Sequence, residues 1–251
     1  MLRAHAAWLA RWPAPRDLAA ETAGEAVRQW GRLGYPRRAL WLHATARILI
    51  AEHAGQVPAS VLALRALPGV GSYTAAAVAS FAFRQRHAVL DTNVRRVLGR
   101  LARGEALPSG SASAAEQKLA EALLPEEPGR AARWSVAAME LGALVCTAAR
   151  PRCGGCPVAG QCAWLAAGRP GERAGSAGRR TQRYDGTDRQ CRGRLLAVLR
   201  DSGAPVSRDG FDAVWSEPAQ TARALEGLVA DGLVDPLPDG RYALPGGYAV
   251  S

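Results

Sequence analysis

Lysine is nearly absent from this chain: of its 32 basic residues only Lys118 is a lysine, and the other 31 are arginine. Schiff-base chemistry therefore has a single side-chain amine to draw on. A genomic base composition that also favours alanine and glycine accounts for the bias, so the arginine excess carries no functional argument by itself. No stretch approaches 18 uncharged apolar residues, which excludes a helical membrane span. The opening residues, MLRAHAAWLARWPAPRD, carry Arg3 and Arg11 in a mixed segment and have no apolar core of the kind a secretory signal needs. Together these absences predict a soluble cytoplasmic protein, a setting in which clustered cysteines serve metals more than disulfides. Alternating strand patterns are missing before residue 200, and there is no internal repeat.

What is present is helical. With 251 residues, 48% of them hydrophobic, the chain can bury a sizeable core, and its net charge of +10 makes a polyanion the first partner to consider. Apolar residues at helical spacing predict a helix in DLAAETAGEAVRQWGRLG, with Asp17 as cap and Gly34 as stop. Further helices follow in YPRRALWLHATARILIAEHAG, PASVLALRAL, SYTAAAVASFAF, DTNVRRVLGRLARG, ASAAEQKLAEALLP and ARWSVAAMELGALVC. SYTAAAVASFAF is almost all small or apolar, as a buried helix would be. Residues 166–188 are rich in Gly and Arg without periodicity and read as a linker. Residues 189–248 then offer three helices and two short strands around Pro-Asp-Gly, which predicts a small winged-helix-like domain.

Four cysteines, Cys146, Cys153, Cys156 and Cys162, lie within CTAARPRCGGCPVAGQC at C-x6-C-x2-C-x5-C spacing. Four thiolates in so short a loop can surround one metal centre, and zinc and iron–sulfur both accept such a set. Zinc ribbons pair two close C-x2-C knuckles, and only one is present here, so the unequal spacing favours a [4Fe–4S] cluster. Cys191 stands outside the pattern and reads as a small buried residue.

Two other segments carry chemistry. LPGVGSYTAAAV joins two helices through Pro-Gly-Val-Gly. Glycines there let the backbone approach a ligand while the next helix presents free N–H groups, a way to grip phosphate without side-chain charge. In VLDTNVRRV an apolar run ends in Asp91, followed by Asn93 and the pair Arg95–Arg96. Asp91 reads equally as the N-cap of the helix it precedes.

Taken together, LPGVGSYTAAAVASFAF, AVLDTNVRRVLGRL and the four-cysteine loop resemble the helix-hairpin-helix DNA glycosylases related to endonuclease III. Within them the likeness is to the MutY-type adenine glycosylases, and it covers residues 7–165. The resemblance implies an all-α fold: a six-helix bundle over 1–130 and an iron–sulfur subdomain over 131–165, ahead of the linker and the winged-helix-like domain. It implies a [4Fe–4S] cofactor on the four cysteines and hydrolytic removal of mispaired adenine from duplex DNA. The target base is flipped out of the stack into a pocket between bundle and cluster subdomain. Lyase members have their Schiff-base lysine at the hairpin position held here by Tyr73, so a monofunctional hydrolytic enzyme is implied.

By the same resemblance Asp91 stabilises the positive charge that develops on the deoxyribose, with Tyr73 and Asn93 orienting sugar, phosphate or nucleophile. Gly69, Val70, Gly71 and Ser72 would hold a phosphate, and Arg95, Arg96, Arg150 and Arg152 would neutralise others. A solvated basic face is the plain alternative for each arginine. The expected partner is duplex DNA with a mismatched or damaged base pair, met at the nucleoid by a monomer with no membrane association.

The family's second acid, a glutamate that protonates the departing base, belongs to a helix expected before Met1, and no equivalent of it stands in this sequence. The Nudix-like C-terminal domain that reads 8-oxoguanine in this family is likewise expected to be missing, since 189–248 is too short and too helical. Two other readings stay open: a relative acting on thymine or uracil opposite guanine, and a non-catalytic DNA-binding protein.

Overall fold

Thr22 is followed three residues later by Glu25, and this pair starts a helix where the hydrophobic pattern alone predicts an uninterrupted one. In the computed structural model, which describes residues 2–171 and 184–248, Thr22 Oγ1 accepts the Glu25 amide at 3.2 Å. The expected single helix is thus two, α2 (Pro15–Ala19) and α3 (Ala23–Trp30). A Ser or Thr at the N-cap satisfies an amide that the first turn cannot, which favours a fresh start over continuation. Asp17 caps the earlier piece from inside it, accepting the Ala14 amide at 2.8 Å. The stop is Gly31, with φ 56°, three residues before the expected Gly34.

Ahead of these lies α1 (Leu2–Arg11), and after them α4 (Arg37–Glu52), α5 (Val61–Ala66) and α6 (Ser72–Phe81). Then come α7 (Thr92–Leu98), α8 (Ala114–Leu123), α9 (Pro128–Glu140) and α10 (Ala163–Ala166). Helices α7 and α9 run on into single π-helical turns, Gly99–Arg103 and Leu141–Val145. Beyond residue 184 are α11 (Asp188–Asp201), α12 (Arg208–Asp212), α13 (Pro218–Ala230) and a two-stranded hairpin. Its strands, β1 (Asp235–Pro236) and β2 (Tyr242–Ala243), pair antiparallel with Asp235 opposite Ala243, and Val206 adds a bridge to Tyr242. Three helices and a hairpin thus occur over the segment read as winged-helix-like. Residues 172–183, the centre of the segment read as a linker, lie outside the described residues.

The chain divides into compact units differently from the segments expected. One unit comprises residues 1–58, 67–69 and 182–251; the other comprises 59–66 and 70–181. In the first, the C-terminal helices share one core with the N-terminal ones. Trp12, Leu18, Val27 and Ala39 pack in the same buried cluster as Leu195, Leu196, Phe211 and Leu228. Cys191, fully buried, belongs to this cluster. Polar contacts tie the same parts together. Arg28 Nη1 donates to the carbonyls of Leu199 (3.3 Å), Arg200 and Ser202 (2.9 Å) at the C-terminal end of α11. Arg200 Nε answers to the Val27 carbonyl at 2.9 Å. A guanidinium at that end satisfies carbonyls that the helix leaves without partners and meets the negative end of its dipole. What reads along the chain as an appended domain therefore supplies the larger share of this core.

The second unit is built around Ala88, Val94, Leu98, Ala120 and Ala138, with Leu90, Trp134 and Met139 against them. Helix α6 is less buried than its composition suggests: Ala75, Ala79 and Ser80 face inward while Tyr73 and Phe81 are exposed.

Candidate active site

Asp91 sits immediately before α7 with an extended backbone, and its Oδ1 accepts the Val94 amide at 2.7 Å. This is the N-cap arrangement. The other oxygen, Oδ2, accepts from Asn93 Nδ2 at 2.8 Å. Asn93 Oδ1 in turn accepts from Arg96 Nη2 at 2.8 Å. The same nitrogen of Arg96 reaches the Gly142 carbonyl at 2.6 Å, and its Nε the Cys146 carbonyl at 2.7 Å. An unbroken line of hydrogen bonds therefore runs from the first cysteine of the loop to the carboxylate of Asp91. The π-helical turn after α9 makes the approach close. A Cβ on Gly142 would fall 2.7 Å from the Cβ of Asn93, so only glycine fits there.

Tyr73, in the first turn of α6, is 41% exposed. Burial of its hydroxyl, and secondarily the negative charge of Asp91, push the phenol above its ordinary value. It stays protonated at neutral pH, a hydrogen-bonding group and not a phenolate.

The hairpin turn has the geometry its glycines foretell. Gly69 lies at φ 73°, and a Cβ there would meet the Trp41 ring at 2.7 Å. Gly71 is extended and precedes α6, and no side chain caps that end among the described residues. The first amides of the ten-residue helix have no intrahelical acceptor, so they are available to an anion.

Arg95 and Arg96 correct the expectation of phosphate contacts. Both are buried, at 8% and 6% exposure, and both guanidinium groups are spent inside the protein. Arg95 forms an ion pair with Glu116 at 2.9 Å and donates to the carbonyls of Ser109, Gly110 and Ser111. Arg96 is the link just described. Helix α7 is buried from Val94 through Leu98, and a basic pair in a sequence does not disclose that it is enclosed. Arg150 and Arg152, by contrast, are exposed on the loop between the first two cysteines, where Arg152 also reaches the Leu144 carbonyl.

The cysteine loop folds as two 3-10 turns, Cys153–Gly155 and Ala159–Gln161, followed by α10. All four thiols are unpaired and half-buried. They line one small cavity together with Arg100 and Trp164. Burial pushes the Cys153 thiol up; Arg169 opposes this, and the other three sulfurs add to it. No three Cys, His, Asp or Glu among the described residues converge as they would on a single ion. Two residues that sequence patterns left unremarked shape the site: Gly142 and Arg100. The signal for Arg100 is its position four residues after Arg96, on the same face of the helix.

Comparison with known proteins agrees with this geometry. The helix-hairpin-helix motif matches residues 52–81, the segment from the end of α4 through α6. An adenine DNA glycosylase of Mycolicibacterium smegmatis is 51% identical over 96% of this chain and 80% of its own length. The adenine DNA glycosylase of Homo sapiens is 42% identical over 62% of this chain and 28% of its own. Among solved structures, a thermostable thymine-DNA glycosylase superposes with a TM-score of 0.59 at 28% identity, covering 66% of this chain and 76% of that one. A trapped endonuclease III–DNA covalent intermediate superposes with a TM-score of 0.57 at 25% identity, covering 64% and 74%. The chain belongs to the adenine DNA glycosylases, hydrolytic helix-hairpin-helix enzymes of base excision repair.

Proposed function

We propose that this chain excises adenine from mispairs in duplex DNA, with Asp91 as the group that stabilises the reacting sugar. The observation that carries the reading is the carboxylate of Asp91 at the start of α7, held from both sides by Val94 and Asn93. As the N-glycosidic bond breaks, positive charge grows on the deoxyribose, and a fixed anion beneath it lowers the barrier without having to reorganise. Each oxygen of Asp91 keeps a lone pair for that task. Tyr73 and Asn93 orient the sugar, its phosphate or the attacking water. Water is the nucleophile, since the one lysine, Lys118, is on the exposed face of α8 and the protonated Tyr73 does not attack.

Duplex DNA is gripped at the hairpin, through the amides around Gly69, Val70, Gly71 and Ser72, and at the exposed Arg150 and Arg152. Cys146, Cys153, Cys156 and Cys162 hold a [4Fe–4S] cluster. Four thiolates around one cavity suit it, and a cluster spreads its ligands wider than a single ion does. The cluster supplies a rigid anchor for the arginine-bearing loop. The enzyme acts as a monomer in the cytoplasm. Adenine is preferred over thymine as the target because the likeness to adenine glycosylases is both higher and longer than that to the thymine enzyme.

The test is single-turnover cleavage of duplexes bearing adenine opposite guanine or 8-oxoguanine, beside thymine and uracil opposite guanine. Release of adenine alone is expected. Release of thymine or uracil instead would reassign the substrate, and duplex binding without any release would leave a binding protein.

A further inference from the structure

Arg100 is among the most deeply buried side chains of the protein, at 2% exposure. All three nitrogens of its guanidinium donate: Nε to the Ala106 carbonyl at 2.8 Å, Nη1 to that of Thr147 at 2.8 Å, and Nη2 to that of Ala148 at 3.1 Å. Its guanidinium carbon lies over Trp164, 4.3 Å from the ring centroid. Trp164 is itself buried and pinned by its indole N–H to the Pro170 carbonyl at 2.8 Å. Three carbonyls take three of its five N–H groups and leave its charge unanswered. Arg95, five residues earlier and almost as buried, has Glu116; no carboxylate pairs with Arg100 among the described residues. A buried cation without a counter-ion is strongly unfavourable. What does face Arg100 is sulfur. Nη1 is 3.3 Å from Cys146 Sγ, and Cys162 Sγ points at the Arg100 backbone carbonyl from 3.6 Å. The cavity that holds the four cysteines has Arg100 as its cationic wall.

We infer that Arg100 is the built-in counter-ion of the metal centre, its charge balanced by the thiolates of the loop and its N–H group bonded to the sulfur of Cys146. This rests on the cluster reading above and adds to it a positioning residue with two effects. A centre ligated by four thiolates is anionic, so the guanidinium stabilises the loaded loop. A cation donating to a ligand sulfur also favours the more electron-rich state of the cluster, because that state carries the greater negative charge.

Both effects can be read without an activity assay. Thermal unfolding would be followed for wild type and Arg100→Met, each with the cluster in place and after removal of its iron by chelation. If Arg100 balances the cluster, the substitution lowers the melting temperature of the loaded protein at least twice as much as that of the stripped protein. An Arg100→Met protein that takes up no iron, yet melts near stripped wild type, is the extreme form of the same result. Equal losses in the two states would make Arg100 a plain strut for its three carbonyls and overturn the inference. Protein-film voltammetry decides independently, should the stripped protein show no unfolding transition. Arg100→Met is expected at a more negative midpoint potential than wild type, with Arg100→Lys between them. Identical potentials in all three would overturn the inference. Wild-type protein that purifies with zinc, or with no metal, would sink the cluster reading instead, and that result is distinguishable before any variant is made.

Discussion

Arg96 hydrogen-bonds Asn93 with one nitrogen and the carbonyl of Cys146 with another, at 2.8 and 2.7 Å. Its side chain thereby joins the start of α7 to the start of the cysteine loop, 50 residues further along the chain. The Asn93 amide that donates to Asp91 is thus itself held by a buried guanidinium.

Arg96→Gln tests that link. Gln cannot span both contacts, so Asn93 loses its anchor and the Asp91 carboxylate gains freedom. Single-turnover cleavage should slow by about 10–100-fold, the scale on which a misplaced reacting group costs rate. Duplex affinity, measured by anisotropy, should change little, because Arg96 is buried and faces no phosphate. A parallel loss of binding and cleavage would argue for general damage.

Asp91→Asn separates cap from catalyst. Asparagine is as good an N-cap as aspartate, so thermal stability should hold within about 1 kcal/mol. The negative charge is lost, and cleavage should fall by at least ~10³-fold if that charge stabilises the sugar cation. A variant that cuts at the wild-type rate would leave Asp91 a cap and nothing more.

Glu116 and Arg95 form the buried ion pair of the second unit, reinforced by the Ser113 amide on Glu116 Oε2 at 2.8 Å. Burial raises the Glu116 carboxyl, but the Arg95 guanidinium and the Ser113 contacts outweigh it and hold the group below its usual value. A carboxyl depressed on folding contributes stability that is complete above its unfolded value, about 4.3, and is lost as pH falls through the lower folded value. Glu116→Gln should therefore destabilise the protein at pH 7 by ~3 kcal/mol, since Arg95 is left buried without its partner. The difference from wild type should shrink in acid denaturation below pH 4; a pH-independent difference would assign the loss to packing.

Gly69→Ala probes the hairpin. The positive φ and the Trp41 ring 2.7 Å from the added Cβ both resist the change. The turn should shift and duplex affinity should fall about tenfold or more, whereas Gly34→Ala, with open space around it, should leave binding as it was. Equal binding by both variants would remove the hairpin from the DNA interface.

Much of the site was legible because its parts are local. A cap and its helix, a Pro-Gly-Val-Gly turn and four cysteines in one loop are each specified by neighbours in sequence, where spacing alone dictates geometry. Those residues also carried the family resemblance. The break at Thr22 was legible too, as a Thr followed by a Glu at the third position, but a hydrophobic pattern that continued across it masked the signal.

The amino-acid order thus settles which segments are helical, which turn can meet a backbone, and which thiols share one loop. It does not settle where a charge ends up. Arg95, Arg96, Arg150 and Arg152 are alike as letters, yet two are buried struts and two stand in solvent, because a guanidinium's surroundings are made by segments far away in the chain. Arg100 finds its sulfur 46 residues on, and Arg28 its carbonyls more than 170 residues on. For the same reason the C-terminal helices, separable on paper, complete a core with the N-terminal ones. Apolar faces say only that they must be covered, and which face covers which is decided when the chain closes on itself.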